Sequence, residues 1–390
     1  MPRAAGRASR RTGVELACYV AAVDGPITDE KPGRQRLPIA GTGNSSAARI
    51  LDDWYVVCTS EQLDASKSKP LATTLYGMPI AVFRSSGGEV GALLDRCPHR
   101  NVPLSDGVVE GALLRCGYHG WAFDTTGACR EIPTLCGEPG GKARTVQRFA
   151  AREQDGLIWV YATPDAEPVR EPYVFRYVRD SRYHSGREIF EVDGTIHAVA
   201  ENALDVPHTA FLHKGLFRKS GAGNRIEVVV RRWHDRTEAQ YIGEPRPPGV
   251  VGKLLAPQGG VVTHFDRFVL PSITEVEYKL GETSHICTIS ALTPITDTRT
   301  RLTAVISFRL PIPAGLVAPV LGPVARAIFR QDAVVLERQK QNIERFGGEA
   351  FASTEVDALG PQILRLLRSA ERGDRSPLAE PHQHRFFMEV

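Results

Sequence analysis

The sequence predicts an α+β protein with two folded domains behind an irregular N-terminal extension. Its 390 residues exceed the length of one average domain. Short β-branched and aromatic runs come first, then a helical stretch, then longer strand-like runs, and finally helices. Grouped strands and grouped helices indicate segregated elements and argue against alternating βαβ units. We place the extension at residues 1–47, the first domain at 48–165 and the second at 166–390.

The strand-like runs fall into two groups. The first group is Trp54–Cys58, Ile80–Phe83, Val90–Leu94 and Leu157–Tyr161. The second group predicts one larger antiparallel sheet and consists of Arg225–Arg231, Arg267–Leu270, Ile273–Lys279, His285–Leu292 and Leu302–Phe308. A helix is expected from Thr195 to Asp205, and apolar residues at helical spacing predict two more helices after residue 330, the first ending at Gly347.

Composition excludes several classes of protein. The 48 basic and 45 acidic side chains nearly cancel, so no nucleic-acid partner is expected. Seven cysteines at irregular spacing do not form a disulfide framework. Two of them stand in a metal-type pattern with histidines, which favours a reducing, cytoplasmic location.

No signal peptide or transmembrane segment is expected. The run Leu16–Val23 is too short and is bracketed by acidic residues. The apolar stretch Ala314–Phe329 is shorter than the ~18 residues of a span, and its prolines would break an isolated helix. We interpret it as a buried or pocket-lining segment, with contact to a membrane surface as the alternative.

A four-ligand metal site is predicted from Cys97, His99, Cys116 and His119. Zinc is the general interpretation of two cysteines and two histidines. In a zinc finger, however, the cysteines come first and the histidines last, whereas here each half supplies one of each. This order suits a dinuclear iron–sulfur cluster in which the cysteines bind one iron and the histidines bind the other.

A second site is suggested by His208 and His213. Five residues apart on a straight helix, they would diverge by about 140°, so the helix has to bend or end between them. Pro207 favours such a bend. Two imidazoles and a carboxylate are the ligand set of non-haem Fe(II) oxygenases. The alternative is a pair of ordinary helix-end histidines.

Both motifs resemble those of one family. Cys97-Pro-His99-Arg100 and Cys116-Gly-Tyr-His119-Gly-Trp121 resemble the Rieske motif of ring-hydroxylating oxygenases. Asn202-x-x-Asp205-x-x-His208-x4-His213 resembles the catalytic-iron motif of their α subunits. The resemblance covers about residues 50–345. It implies an all-β Rieske [2Fe–2S] domain followed by a catalytic domain of the helix-grip type, with an antiparallel sheet and flanking helices.

The resemblance also implies roles for individual residues. His208 and His213 correspond to ligands of the mononuclear Fe(II). Asp332 corresponds to the third ligand, with Asp357 as the runner-up. Asp205 corresponds to an aspartate that bridges a liganding histidine to a cluster histidine of a neighbouring subunit, here His119. Asn202 is a candidate supporting residue beside the ligands.

The family resemblance implies an oxygenase that depends on other proteins. No flavin or nicotinamide fingerprint is present, so electrons are expected from a separate NAD(P)H-dependent reductase, a ferredoxin or both. A head-to-tail homotrimer and a fairly large, hydrophobic substrate are expected. Hydroxylation, dihydroxylation, demethylation, desaturation and cyclisation all stay open. The competing hypothesis is a Rieske electron carrier fused to a non-catalytic domain that binds a hydrophobic ligand.

Overall fold

The computed structural model describes residues 45–213, 224–245 and 261–389, apart from the side chains of residues 320 and 321. The predicted extension lies outside these ranges except for residues 45–47, which have no regular structure. No helix in the described ranges is long and apolar enough to cross a membrane.

Short antiparallel strands build the first half of the chain. The elements are β1 (Trp54–Thr59), α1 (Ser60–Ala65), β2 (Leu71–Leu75), β3 (Met78–Arg84), β4 (Val90–Leu94), β5 (Val108–Glu110), β6 (Leu113–Arg115), β7 (Ala122–Phe123), β8 (Cys129–Glu131), a 3-10 turn (Lys142–Arg144), β9 (Arg148–Phe149), β10 (Ala151–Gln154) and β11 (Leu157–Tyr161). They form sheets of order β1-β11-β10, β2-β3-β4-β9 and β5-β6-β7-β8. The predicted all-β first part is confirmed.

One large antiparallel sheet organises the second half. The elements are β12 (His184–Asp193), α2 (Ile196–Leu204), α3 (His208–Leu212), β13 (Arg225–Arg232), β14 (Arg236–Ile242), β15 (Val262–Val269), β16 (Ile273–Leu280), β17 (Ser284–Thr296), β18 (Arg299–Arg309), α4 (Ala314–Phe346), α5 (Gly360–Glu371) and β19 (His382–Glu389). The strand order is β12-β18-β17-β16-β15-β14-β13-β19. The α+β class is therefore confirmed.

The two faces of the large sheet have different neighbours. Ile273, Ile289 and Val305 share one face and pack against Trp54 and Trp159 of the first half; we call this the domain-contact face. Glu275, on the same face, accepts hydrogen bonds from Tyr173 and Arg176 in the connection between the halves.

The opposite face carries α2, which contacts β15 to β18. Because side chains alternate along a strand, His264 and Tyr278 point to this second face. We call it the helix-bearing face. The large sheet therefore lies between the first half of the chain and helix α2.

The apolar segment 314–329 differs from expectation. It is the first half of the continuous helix α4, which contains Pro319 and Pro323. Both prolines are exposed and four residues apart, so the carbonyl groups that lose a helical partner can reach solvent. Packing onto β12 supports the helix, with the Phe190 and Phe329 rings 5.1 Å apart between centroids. Nor is the segment buried throughout, because Leu316 is exposed.

Candidate metal centres

Two matching loops present the four candidate cluster ligands. The first loop follows β4 and is closed by hydrogen bonds from the Cys97 amide to the Val102 carbonyl (2.9 Å) and from the Asn101 amide to the Cys97 carbonyl (2.8 Å). The second joins β6 to β7, and there the Cys116 amide donates to the Trp121 carbonyl (2.8 Å). Each loop therefore fixes one cysteine and one histidine independently of the other.

The two loops bring the four side chains together. Cys97 and Cys116 are buried, and the imidazole rings of His99 and His119 lie 4.4 Å apart between centroids. Trp121 stacks on His99 at 4.8 Å, nearly parallel. It therefore covers one side of the site. His119 lies at the exposed edge.

These residues fit a metal cluster chemically. Nδ1 of His99 is buried and has no hydrogen-bond partner within the described ranges. Burial, and to a smaller extent Cys116, raise the pKa of the Cys97 thiol to about 11. A thiolate is therefore stable here only when a cation offsets its charge. Cys129 is buried and Cys136 exposed, and both are free thiols.

The second candidate site forms where helix α2 stops. Thr195 caps its start by accepting a hydrogen bond from the Ala198 amide, and it ends at Leu204. Pro207 then precedes the short helix α3, which ends just before His213. The helix therefore does end between the two histidines. Pro207 contributes at the start of α3, where its missing N–H costs nothing.

His208, His213 and Asp332 converge. Nε2 of His208 lies 3.3 Å from Nε2 of His213. Oδ1 of Asp332 lies 3.1 Å from Nε2 of His213 and 3.6 Å from Nε2 of His208. Ligands bound to one iron at about 2.1 Å and at right angles stand about 3 Å apart, so the three atoms are spaced as a shared metal ion requires.

The chemistry of the trio also fits a cation. Although Asp332 Oδ1 lies close to both imidazoles, it is buried and makes no hydrogen bond with acceptable geometry to any residue that the structure describes. Burial lowers the pKa of His208, but Asp205 and Asp332 outweigh it and raise that pKa to about 9. The negative charge of these two carboxylates also attracts a divalent metal ion.

Each histidine of the trio is oriented through its other ring nitrogen. Nδ1 of His208 lies 3.2 Å from Oδ2 of Asp205, which also accepts the His208 amide at 3.0 Å. Nδ1 of His213 lies 2.7 Å from Oε1 of Gln331. Such contacts fix the tautomer of a liganding imidazole. Sequence reasoning missed Gln331, although its place beside Asp332 was a usable signal.

The remaining predicted site residues lie around a cavity of about 260 Å³ next to Asp205, which we call the Asp205 cavity. Its lining includes Glu201, Asn202, Asp205, Tyr241 and Asp357. Asp357, the runner-up ligand, is thus separate from the trio, and its Oδ2 accepts the Thr354 amide at 2.7 Å. The structure brings Asp332 to the two histidines instead.

Similarity to known families agrees with this arrangement. The Rieske [2Fe–2S] domain matches residues 53–147. The vanillate O-demethylase oxygenase C-terminal domain matches residues 192–373.

Curated relatives include methylxanthine N1-demethylase NdmA of Pseudomonas putida, 37% identical over 183 residues, with 46% of this chain and 52% of the relative covered. Dicamba O-demethylase, oxygenase component, of Stenotrophomonas maltophilia is 35% identical over 191 residues, with 46% and 52% covered. These matches span about half the length of each relative. The vanillate O-demethylase oxygenase subunit of a Pseudomonas species matches over 92% of its length at 24% identity.

Solved structures show the same fold along nearly their whole length. Dicamba monooxygenase bound to 3,6-dichlorosalicylic acid superposes with a TM-score of 0.71 at 25% identity, covering 85% of this chain and all of that one. NdmA of Pseudomonas putida with caffeine gives 0.70 at 25% identity, with 85% and 96% covered. The cofactors of such proteins, a [2Fe–2S] cluster and one mononuclear iron, fit the two groups of side chains described above. The chain belongs to the Rieske-type non-haem iron oxygenases.

Proposed function

We propose that this chain is the oxygenase component of a multi-protein system that oxidises a small organic molecule with O2 and two electrons supplied from outside. The observation that carries the proposal is the convergence of His208, His213 and Asp332 in a chain that also carries a Rieske pair of loops. A trio of this kind leaves coordination positions free for O2 and substrate.

Each set of side chains then has a task. Cys97 and Cys116 hold one iron of the cluster, and His99 and His119 hold the other. His208, His213 and Asp332 hold the mononuclear iron, which supplies O2 activation when bound. Asp205 and Gln331 keep the two imidazoles in the orientation that a metal ion requires.

Two reactions are favoured, oxidative demethylation and hydroxylation, because the first four relatives are named demethylases and monooxygenases, although named dioxygenases also match. For a methyl group on oxygen or nitrogen, the balance is R–X–CH3 + O2 + 2 e− + 2 H+ giving R–XH + HCHO + H2O. For a hydroxylated carbon, R–H gives R–OH and water with the same input. The electrons come from an NAD(P)H-dependent reductase, directly or through a ferredoxin.

We further propose that electrons cross between copies, in a head-to-tail homotrimer. Within one chain the first half packs on the domain-contact face, whereas α2 lies on the helix-bearing face. A sheet therefore stands between the two centres of one chain. A cyclic assembly can place the cluster of one copy beside the iron of the next.

The substrate is proposed to be hydrophobic with at least one polar group. Thr274 and Ser290 are neighbours across β16 and β17 on the helix-bearing face, 2% and 3% exposed. Neither hydroxyl has a hydrogen-bond partner within the described ranges. A hydroxyl without a protein partner can still donate to or accept from a bound molecule, so we assign both to contact with a substrate.

We retain the domain boundary between residues 165 and 166, since it falls in the connection between β11 and β12. A cytoplasmic location is proposed because Cys97 and Cys116 have to stay reduced to hold an iron–sulfur cluster.

The decisive experiment combines metal analysis with product analysis. The purified protein is reduced by a surrogate reductase and incubated with O2 and a library of methylated aromatic and heteroaromatic compounds. Three irons per chain, together with formaldehyde or an oxygenated product, are expected. Two irons per chain and no product would instead identify an electron carrier with a non-catalytic binding domain.

A further inference from the structure

A row of side chains on the helix-bearing face is open, although it lies in the interior of the large sheet. Val276, Thr288 and Ile306 are direct neighbours across β16, β17 and β18. All three are half-buried, whereas Thr274 and Ser290, in the next row of the same strands, are only 2% and 3% exposed. This pattern indicates a cleft along the half-buried row, closed on the side of Thr274 and Ser290. We call it the sheet cleft.

A buried carboxylate stands at one end of the sheet cleft. Asp266 continues the row on β15, directly opposite Val276, and is 2% exposed. Its Oδ1 lies 3.0 Å from Nε2 of His264. Within the described ranges, the Asp266 carboxylate makes no other hydrogen bond or ion pair. Its second oxygen, Oδ2, can therefore accept a hydrogen bond from a bound molecule.

His264 keeps Asp266 ionised and fixes its orientation. Nδ1 of His264 lies 2.7 Å from Oε2 of Glu244, so both ring nitrogens face carboxylates. Burial lowers the pKa of His264, but Asp266 and Glu244 outweigh it and raise that pKa to about 9. The imidazolium can then donate on both sides. Its ring is also stacked between Tyr241 and Tyr278, with 4.4 Å and 3.9 Å between centroids.

The sheet cleft runs between the elements that carry the ligands of the mononuclear site. At the Asp266 end, Tyr241 stacks on His264 and also lines the Asp205 cavity. At the Ile306 end, α4, which carries Asp332, packs on β12, the neighbour of β18. A molecule in the cleft would therefore lie on the same face of the sheet as the candidate iron site.

The dimensions and polarity of the sheet cleft define a class of ligand. Asp266 and Ile306 are three strand-to-strand steps apart, which corresponds to about 14 Å. Val276 and Ile306 make the floor between them largely apolar. No lysine or arginine of the described strands β15 to β18 points to this face. The only charge on the floor is thus the negative charge of Asp266.

We propose that the sheet cleft binds the substrate as an elongated apolar molecule whose hydroxyl or amine donates a hydrogen bond to Oδ2 of Asp266, and that it rejects carboxylates. A donor that meets a buried carboxylate forms a strong, charge-assisted hydrogen bond. A second carboxylate at the same place would be a buried like charge without a positive partner. The inference rests on the proposed oxygenase function and adds the class of its substrate.

Matched ligands test this class without turnover. Oxidised, iron-loaded protein is dialysed to equilibrium against biphenylmethanol, biphenylmethylamine, biphenylcarboxylate or biphenyl, with each substituent in the para position. The alcohol or the amine should bind about 10-fold more tightly than biphenyl and about 100-fold more tightly than the carboxylate. Tighter binding of the amine would identify a cationic donor, and tighter binding of the alcohol a neutral one. Equal binding of carboxylate and alcohol, or no binding of any of the four, would overturn the proposal.

Asp266→Asn tests the carboxylate itself. The variant keeps an acceptor for His264 but removes the charge. It should weaken binding of biphenylmethanol about 10-fold and bring the carboxylate within about tenfold of the alcohol. Asp235→Asn, the same change at the turn between β13 and β14, is the control and should bind all four ligands as the wild type does. An undiminished preference of Asp266→Asn for the alcohol would remove Asp266 from the ligand site.

A second variant tests the floor independently of Asp266. Ile306→Trp fills the far end of the sheet cleft, so it should exclude biphenylmethanol but still bind the shorter benzyl alcohol as tightly as the wild type does. Unchanged binding of biphenylmethanol, or equal loss of both alcohols, would contradict the cleft. All variants should keep the cluster spectrum and three irons. Binding in the expected order without any oxidised product would contradict the proposed function alone, whereas product formation with the opposite binding order would contradict only the cleft.

Discussion

The two candidate metal centres are built in opposite ways. The cluster ligands come from two short loops, and each loop is closed by its own backbone hydrogen bonds. The mononuclear site takes two ligands from the break after α2 and the third from the middle of α4, far along the chain. The first centre is thus encoded by local spacing, whereas the second exists only after the large sheet and its helices have packed.

This difference predicts that each centre can be disrupted without loss of the other. Removing His213 takes away a ligand of the mononuclear site without touching the cluster loops. We expect His213→Ala to abolish turnover and to reduce the metal content from three irons to two, with the cluster absorption unchanged. His234→Ala, a partly exposed histidine at a turn between β13 and β14, is the control and should behave as wild type. Turnover with three irons retained in His213→Ala would rule out our assignment.

The converse change affects the cluster only. His119→Cys replaces a neutral imidazole by a thiolate, which should lower the cluster potential by on the order of 100 mV or more. The electron paramagnetic resonance spectrum should lose its Rieske character, while mononuclear iron still binds to His208, His213 and Asp332. An unaltered spectrum would remove His119 from the ligand set.

Asp205 connects the two centres in our proposal, so its variant should leave both of them loaded. Asp205→Asn keeps the shape that accepts the His208 amide but removes the charge. Cluster reoxidation in a single turnover should slow by about 100-fold with three irons still present. Loss of the mononuclear iron would indicate a purely structural role, and a normal rate would place the route elsewhere.

The cluster ligands were predicted from motif spacing, whereas the trio of His208, His213 and Asp332 was predicted only with the help of family resemblance, for a physical reason. Motif spacing determines a loop, so Cys97 and His119 could be assigned without tertiary information. Asp332 came only through family resemblance, since nothing local distinguishes it from Asp357. The edge strands β12 and β19 were missed because their exposed, charged residues lack a clear alternation. The Asp205 cavity is lined by residues of three helices and one strand. No local sequence pattern predicts that these elements meet.

Gln331 is a neighbouring side chain that orients His213, a metal ligand that the sequence motif identifies. Gln331→Leu removes the acceptor 2.7 Å from Nδ1 of His213 but keeps the side-chain volume. The affinity for the mononuclear iron should fall by about 10- to 100-fold, measured by chelator competition. Gln341→Leu, on the exposed side of the same helix, should leave iron affinity unchanged. Equal affinities in the two variants would show that Gln331 does not orient the ligand.

The smallest expected effect concerns Thr274 and Ser290 on the helix-bearing face of the large sheet. We propose that both contact a polar group of the substrate. Thr274→Val keeps the shape of the side chain and removes its hydroxyl. We expect KM to rise about fivefold to tenfold with a smaller change in kcat, because one hydrogen bond to a neutral group contributes about 1 kcal/mol. Thr303→Val, on the opposite, domain-contact face of the sheet where Thr303 pairs with Ala291, is the matched control. A substrate analogue that lacks the polar group should bind wild type and Thr274→Val equally well. If the variant instead loses affinity for both molecules, Thr274 shapes the wall without recognising the polar group.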